Sequence, residues 1–160
     1  MKELRQAETW LDAAVKHAEA VKFDPNNYLS QRLAPDQLPF VAQIRIMCDT
    51  AKIALSRLTG KDVPKHEDTE TTIEQLRARI HSVLGILEGV TAKDFEGAAT
   101  RVITTPRWEG KVMTGERYFL EHALPNFFFH LTHAYAILRH NGVTLGKKDY
   151  LGPLSLTAPA

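Results

Sequence analysis

The sequence predicts an all-α protein: a four-helix bundle, with room for a crossover connection, and a short β-hairpin between its third and fourth helices. Three observations predict it. Four segments of roughly 20 residues or more carry apolar side chains in alternating steps of three and four, the spacing of one helical face. Two connections, residues 23–37 and 94–113, are long for antiparallel hairpins and leave room for a crossover. The second of them contains a β-rich run that breaks the helical period.

The first helix is expected over residues 2–22, on the stripe Leu4, Ala7, Leu11, Ala14, Ala18 and Val21. Phe23-Asp24-Pro25 stops it, because the residue before a proline is pushed out of the helical region. The second is expected over 36–59, with Asp36 as N-cap, Pro39 in the first turn and Gly60 as the C-terminal stop. Its stripe is Val41, Ile44, Cys48, Ala51, Leu55 and Leu58. The third starts from Asp68 or Thr69, with Glu70 in its first turn, and buries Ile73, Leu76, Ile80, Val83, Leu87 and Val90. Arg101–Thr105 and Lys111–Met113, around a turn at Pro106–Gly110, read as a short exposed hairpin. The fourth helix is expected over 115–140 from a Thr114 cap, on the stripe Leu120, Leu124, Phe127, Leu131, Ala134 and Leu138. Pro125 lies inside it and predicts a kink near 121–124 or a restart with Pro125 in a first turn. Trp10, Trp108 and Phe127 read as packing residues, and Phe128 and Phe129 point to different sides.

The chain has 160 residues and a mass of 18.0 kDa, enough for one domain with its own core, expected over 1–152, with a flexible tail at 153–160. Twenty basic side chains against 19 acidic ones leave a formal charge of +1. That balance gives no electrostatic footprint for nucleic acid or an anionic membrane. The stretch free of Asp, Glu, Lys and Arg from 122 to 138 is 17 residues, short of the ~20 that cross a bilayer. With one cysteine, Cys48, no intrachain disulfide can form. Cys48 lies on an apolar stripe and reads as a small core residue. No apolar targeting segment follows Met1, so the expectation is a cytoplasmic protein.

Candidate chemistry concentrates on the fourth helix, where His122, His130, His133 and His140 fall within 19 residues. With His130 at 0°, Asn126 lies near −40°, His133 near −60° and His122 near −80°, a stripe about 80° wide beside the apolar one. A polar stripe flanking a core stripe lines a pocket at the edge of the core. Asn126, His130 and His133, with Gln43 from the second helix, are therefore the candidate ligand-binding residues. Imidazoles one turn apart can also share a metal ion. The alternative site is His122, His130 and His133 with Asp49; His17, Gln43, His66, Glu70 and His81 are the other candidate ligands off the fourth helix. No Gly-x-Ser-x-Gly elbow, P-loop or Gly-x-Gly-x-x-Gly pattern occurs. Gly142–Lys148 reads as a turn with basic caps.

The segment Leu124-Pro125-Asn126-Phe127-Phe128-Phe129-His130, then Ala134–Val143 and Gly146-Lys147-Lys148-Asp149, resembles the C-terminal signature of an uncharacterised bacterial family of domains of unknown function, grouped with the DinB/YfiT-like metalloenzyme superfamily. Leu33-Ala34-Pro35-Asp36 with Gln43 and Asp49, and Asp68-Thr69-Glu70 with Leu76, Arg79 and Ile80, resemble its earlier motifs. The resemblance implies a DinB/YfiT-like four-helix bundle with a crossover, often a homodimer. It also implies a divalent metal, Zn or Ni, held by one histidine of the second helix and two of the fourth, four residues apart. Here the second helix has no histidine, so Gln43 or Asp49 would substitute, and Asn126 stands beside His130 where the pair of histidines is implied. Amides are poor ligands for these ions. The expected function is a small-ligand-binding bundle with a degenerate metal site. The alternative is a divalent-metal-dependent hydrolase or thiol transferase in which the metal activates water or a thiol.

Overall fold

The computed structural model describes residues 1–158, which form a mostly helical protein with one small sheet. α1 covers Lys2–Ala20 and buries Leu4, Ala7, Trp10, Leu11, Ala14 and Ala18. Val21, expected on the same stripe, is exposed, because the helix ends before it and Lys22 turns the chain with a left-handed φ of 58°. A 3-10 turn at Pro25–Ser30, capped by Asp24, begins the long connection to α2.

α2 covers Phe40–Thr59. It starts four residues later than expected, since Pro39 in an extended conformation is the N-cap and Asp36 lies outside the helix. Gly60 closes it in the left-handed conformation, at φ 76°. α3 covers Ile73–Glu88. Its cap is Thr72, in a reciprocal capping box with Gln75, and neither Asp68 nor Thr69. Asp68 and Glu70 are engaged in ion pairs with Arg79.

β1 (Val102–Ile103) and β2 (Met113–Thr114) pair antiparallel, Val102 opposite Thr114 and Ile103 opposite Met113. The hairpin is exposed on one face only. Ile103 is buried against Ala54, Leu58, Tyr118 and Ala123, a cluster separate from the main core. Arg101 Nε donates to Leu58 O at 3.1 Å and ties the hairpin to the end of α2. α4 (Gly115–Arg117) follows, capped by Thr114, and leads into a π-helical turn at Tyr118–Ala123 and then α5 (Leu124–His140). The Leu124 N–H bonds back to Phe119 O, five residues earlier. Pro125 has no N–H to give the Glu121 carbonyl, so the ladder changes to the wider spacing just ahead of it. That extra residue resets the helical face. Leu120 (54% exposed) and Leu124 are outside the core, while Tyr118 and Ala123 are buried in the separate cluster under the hairpin.

α1 packs on α3 and α5, and so does α2. The two helices joined by the long first connection therefore sit at opposite corners, with α3 and α5 between them. α6 (Lys147–Leu151) lies on α1: Gln6 Nε2 and Trp10 Nε1 donate to Asp149 O at 2.9 and 3.0 Å. Residues 153–158 carry no regular structure, and 159–160 of the expected tail lie outside the described residues. No helix among the described residues is long and apolar enough to cross a membrane.

Candidate functional site

The closest helix pairing is α2 against α5, and the polar stripe of α5 meets α2 there. His130 is buried, and its Nδ1 lies 2.8 Å from Gln43 Oε1. An amide oxygen only accepts, so Nδ1 carries the proton and Nε2 the lone pair. Gln43 is in turn held by its Nε2–H donating to Leu38 O at 2.9 Å. Burial, and then the neighbouring His133, push the His130 pKa down to about 4, so this imidazole is neutral near pH 7. Two turns along α2, Asn126 Nδ2 donates to Thr50 Oγ1 at 2.8 Å. His133 is half-buried: Nδ1–H donates to Phe129 O at 2.7 Å, and Nε2 faces Gln37 Nε2 at 3.4 Å.

His122 does not join these groups. It stacks on Tyr118 and meets Trp108 edge-on, with ring centroids 5.5 and 5.7 Å apart. His122 lies inside the π turn at Tyr118–Ala123, where the constant 100° step does not hold. Burial, with Arg57 and Arg107 nearby, lowers its pKa.

Asp49 is also committed elsewhere. Its Oδ2 accepts from Arg79 Nη2 at 2.8 Å, and Lys52 Nζ lies 3.1 Å from Oδ1. Arg79, whose side chain is 1% exposed, also pairs with Glu70 at 2.8 Å and Asp68 at 3.0 Å. Glu70 is bonded a second time by Arg45 at 2.6 Å. Burial raises the Glu70 pKa, but hydrogen bonds from Arg79 and Arg45 outweigh it and hold the carboxyl below its usual range. Lys52 Nζ donates to Pro64 O (2.9 Å) and His66 Nδ1 (3.0 Å) and forms an ion pair with Asp49. His66 Nε2–H donates to Ser82 Oγ at 2.9 Å, and burial beside Lys52 lowers its pKa. This network straps residues 64–70 to α2 and α3. Cys48, beside it, is fully buried, and burial pushes its thiol up to about 12, so it is inert near neutral pH. Of the other candidate ligands, His17 bonds the Tyr28 hydroxyl and His81 pairs with Glu8.

The donor set at the α2–α5 seam does not fit a divalent ion. Gln43 Oε1 is taken by His130, Asn126 is bonded to Thr50, and the one free imidazole nitrogen there is His130 Nε2. No three His, Cys, Asp or Glu side chains among the described residues converge as ligands.

Beside the seam lies a groove of 570 Å³, walled by the start of α1, α2, the end of α3, the segment 90–95 after it, the π turn and the start of α5. Ala54, Leu58, Leu87, Phe119, Leu124 and Phe127 make it apolar, and Thr50 is the buried polar residue of its lining. Sequence reasoning missed this groove and the Arg79 network. The network had a signal: Arg79 lies within the apolar spacing of α3, next to Ile80.

The sequence matches the family described as "Domain of unknown function (DUF1993)" over residues 1–151. No curated protein matches the chain. The structure is similar to the crystal structure of a DinB family member protein from Shewanella denitrificans, with a TM-score of 0.95 and 51% sequence identity, over 99% of this chain and 90% of that one. The chain thus belongs to the DUF1993 family of domains of unknown function and, with that relative, to the DinB family.

Proposed function

We propose that the protein is a ligand-binding four-helix bundle of the DinB/YfiT-like type, formed by α1, α2, α3 and α5 within one domain over 1–152. In it, hydrogen bonds replace the superfamily's metal centre. The observation that supports this reading is the 2.8 Å bond between His130 and Gln43. It uses up the α2 group that would have faced the ion, and it holds α2 and α5 together without a metal. Gln43, Asn126, His130 and His133 are the polar seam of the bundle, and the binding space opens beside it.

Elemental analysis of untagged protein tests the metal-free part. After incubation with Zn, Ni or Mn, less than about a tenth of an ion per chain is expected, given a single free imidazole nitrogen at the seam among the described residues. One ion per chain, lost in His130→Ala, would overturn it. A metabolite panel read by thermal shift tests binding: a hit raises the midpoint of the wild type, and His130→Ala or Asn126→Ala lowers the response. A hit whose response neither variant changes would overturn the role of the seam. In this reading the chain works in the cytoplasm as a homodimer, supported by Leu120 and Phe129, large exposed side chains outside the groove wall. Light scattering tests the dimer, and a strict monomer at high concentration would remove it.

A further inference from the structure

We infer that the groove takes an uncharged, mainly aromatic or aliphatic molecule carrying one hydrogen-bond-accepting oxygen, and that the Thr50 hydroxyl donates to that oxygen. The inference rests on the binding reading above and deepens it.

Size comes first. A space of 570 Å³ is within the range of small-molecule sites, about 300–1,000 Å³. Polarity comes second. Glu3 is the one charged side chain in the wall, and no basic side chain lines it. Met1 lies in the same wall with Glu3, and a carboxylate or phosphate at Thr50 would lose its water and find no basic side chain among the lining residues, so anions are disfavoured.

The third step is the direction of the hydrogen bond. Two hydroxyls line the groove: Thr91 is exposed and donates to Asp94, whereas Thr50 is buried, with Ala51 and Ala54 beside it. Its oxygen already accepts from Asn126 Nδ2 at 2.8 Å. Its own proton has no acceptor among the hydrogen bonds of the described residues. A buried hydroxyl with its lone pair engaged and its proton free presents a donor. The matching ligand atom is a carbonyl or ether oxygen. Asn126 is then a positioning residue: its N–H fixes the side of the Thr50 oxygen that accepts, and so turns the hydroxyl proton toward the groove.

The test uses three probes of similar size: acetophenone, ethylbenzene and benzoate. Each is titrated into isotope-labelled full-length protein and followed by amide and methyl NMR shifts. Saturable shifts at Ala54, Leu58 and Phe127 are expected for acetophenone, with weaker binding of ethylbenzene and at least tenfold weaker binding of benzoate. Thr50→Val keeps the shape and removes the donor. It is expected to weaken acetophenone about fivefold, the value of one neutral hydrogen bond, and to leave ethylbenzene within about twofold. Ala54→Phe, checked for folding by circular dichroism, fills the groove and abolishes both. Equal effects of Thr50→Val on acetophenone and ethylbenzene would overturn the donor assignment, and benzoate binding as tightly as acetophenone would overturn the ligand class. Saturable shifts confined to Gln43 and His130 would overturn the groove while leaving the binding reading standing. No saturable shift for any of the three would overturn the groove proposal, and the binding reading would then stand or fall on the metabolite panel alone.

Discussion

Lowering the pH should destabilise this protein through His130, by an amount the structure sets. The imidazole is buried, donates from Nδ1 to Gln43, and has a pKa of about 4 against an ordinary 6.5. In the unfolded chain it returns to the ordinary value. A folded pKa below the unfolded one means that the unfolded state takes the proton first as the pH falls. The contribution is fully present above pH 6.5 and is lost between there and about pH 4; below that both states are protonated and the slope vanishes. At about 1.4 kcal/mol per pH unit, the gap is worth about 3 kcal/mol. Urea unfolding followed by circular dichroism, at half-unit steps from pH 7.5 to 3.5, measures it against His130→Gln. The variant starts lower at neutral pH because its packing and bond geometry change, but that offset does not depend on pH. His66 and His122 also have lowered pKa values and titrate in both proteins, so they cancel in the difference. The difference between the two proteins should shrink by about 3 kcal/mol from pH 7 to pH 4. A difference constant to within about 0.5 kcal/mol would mean that His130 is not held neutral by burial, and the account of the α2–α5 seam would fail.

Gly115→Ala should cost about 3 kcal/mol in urea unfolding, because its Cβ would sit 1.9 Å from the Ala98 carbonyl oxygen, and a backbone atom cannot swing aside. Arg79→Met should also cost about 3 kcal/mol, the low end for breaking a buried ion pair: Glu70 keeps Arg45, Asp49 keeps Lys52, and Asp68, 63% exposed, loses little. The same variant should lose part of the acid sensitivity that Glu70 contributes: its depressed pKa gives stability above the ordinary carboxyl range that disappears as the pH falls through the folded value. Thr72→Ala should cost about 1 kcal/mol, read as a lower thermal midpoint, by removing the hydroxyl that accepts from the Gln75 N–H.

The apolar faces of α1, α2 and α3 were legible because side chains three and four apart share a face whatever the rest of the fold does. Leu4 to Ala18 and Ile73 to Val83 follow that rule residue by residue. Reading failed where one local signal displaced another. Asp36 and Asp68 are good cap types, but Pro39 and the Thr72–Gln75 box took those places, and Asp68 went to Arg79. On the last long helix, the constant 100° step grouped Asn126, His130 and His133 on one stripe but misplaced Leu120 and His122, because the π turn adds a residue that the step does not contain. The Arg79 network joins residues as far apart as Asp49 and Arg79, and only the packing of α2 on α3 brings them together. The groove was not legible, because it is a gap between six segments and no residue pattern marks a gap.

The π turn gives one continuous helical rod two separate tasks. Within it, Tyr118 and Ala123 face the small cluster under the hairpin; beyond it, Leu131, Ala134 and Leu138 face the principal core. Neither direction is negotiable, and the surplus residue between them is the phase offset that lets both hold at once. A one-residue deletion anywhere in 118–123 would put the two halves out of step. The hairpin would then have to let go of the rod, or the rod would have to swing off α2, and the groove whose wall passes through that turn would close or gape with it.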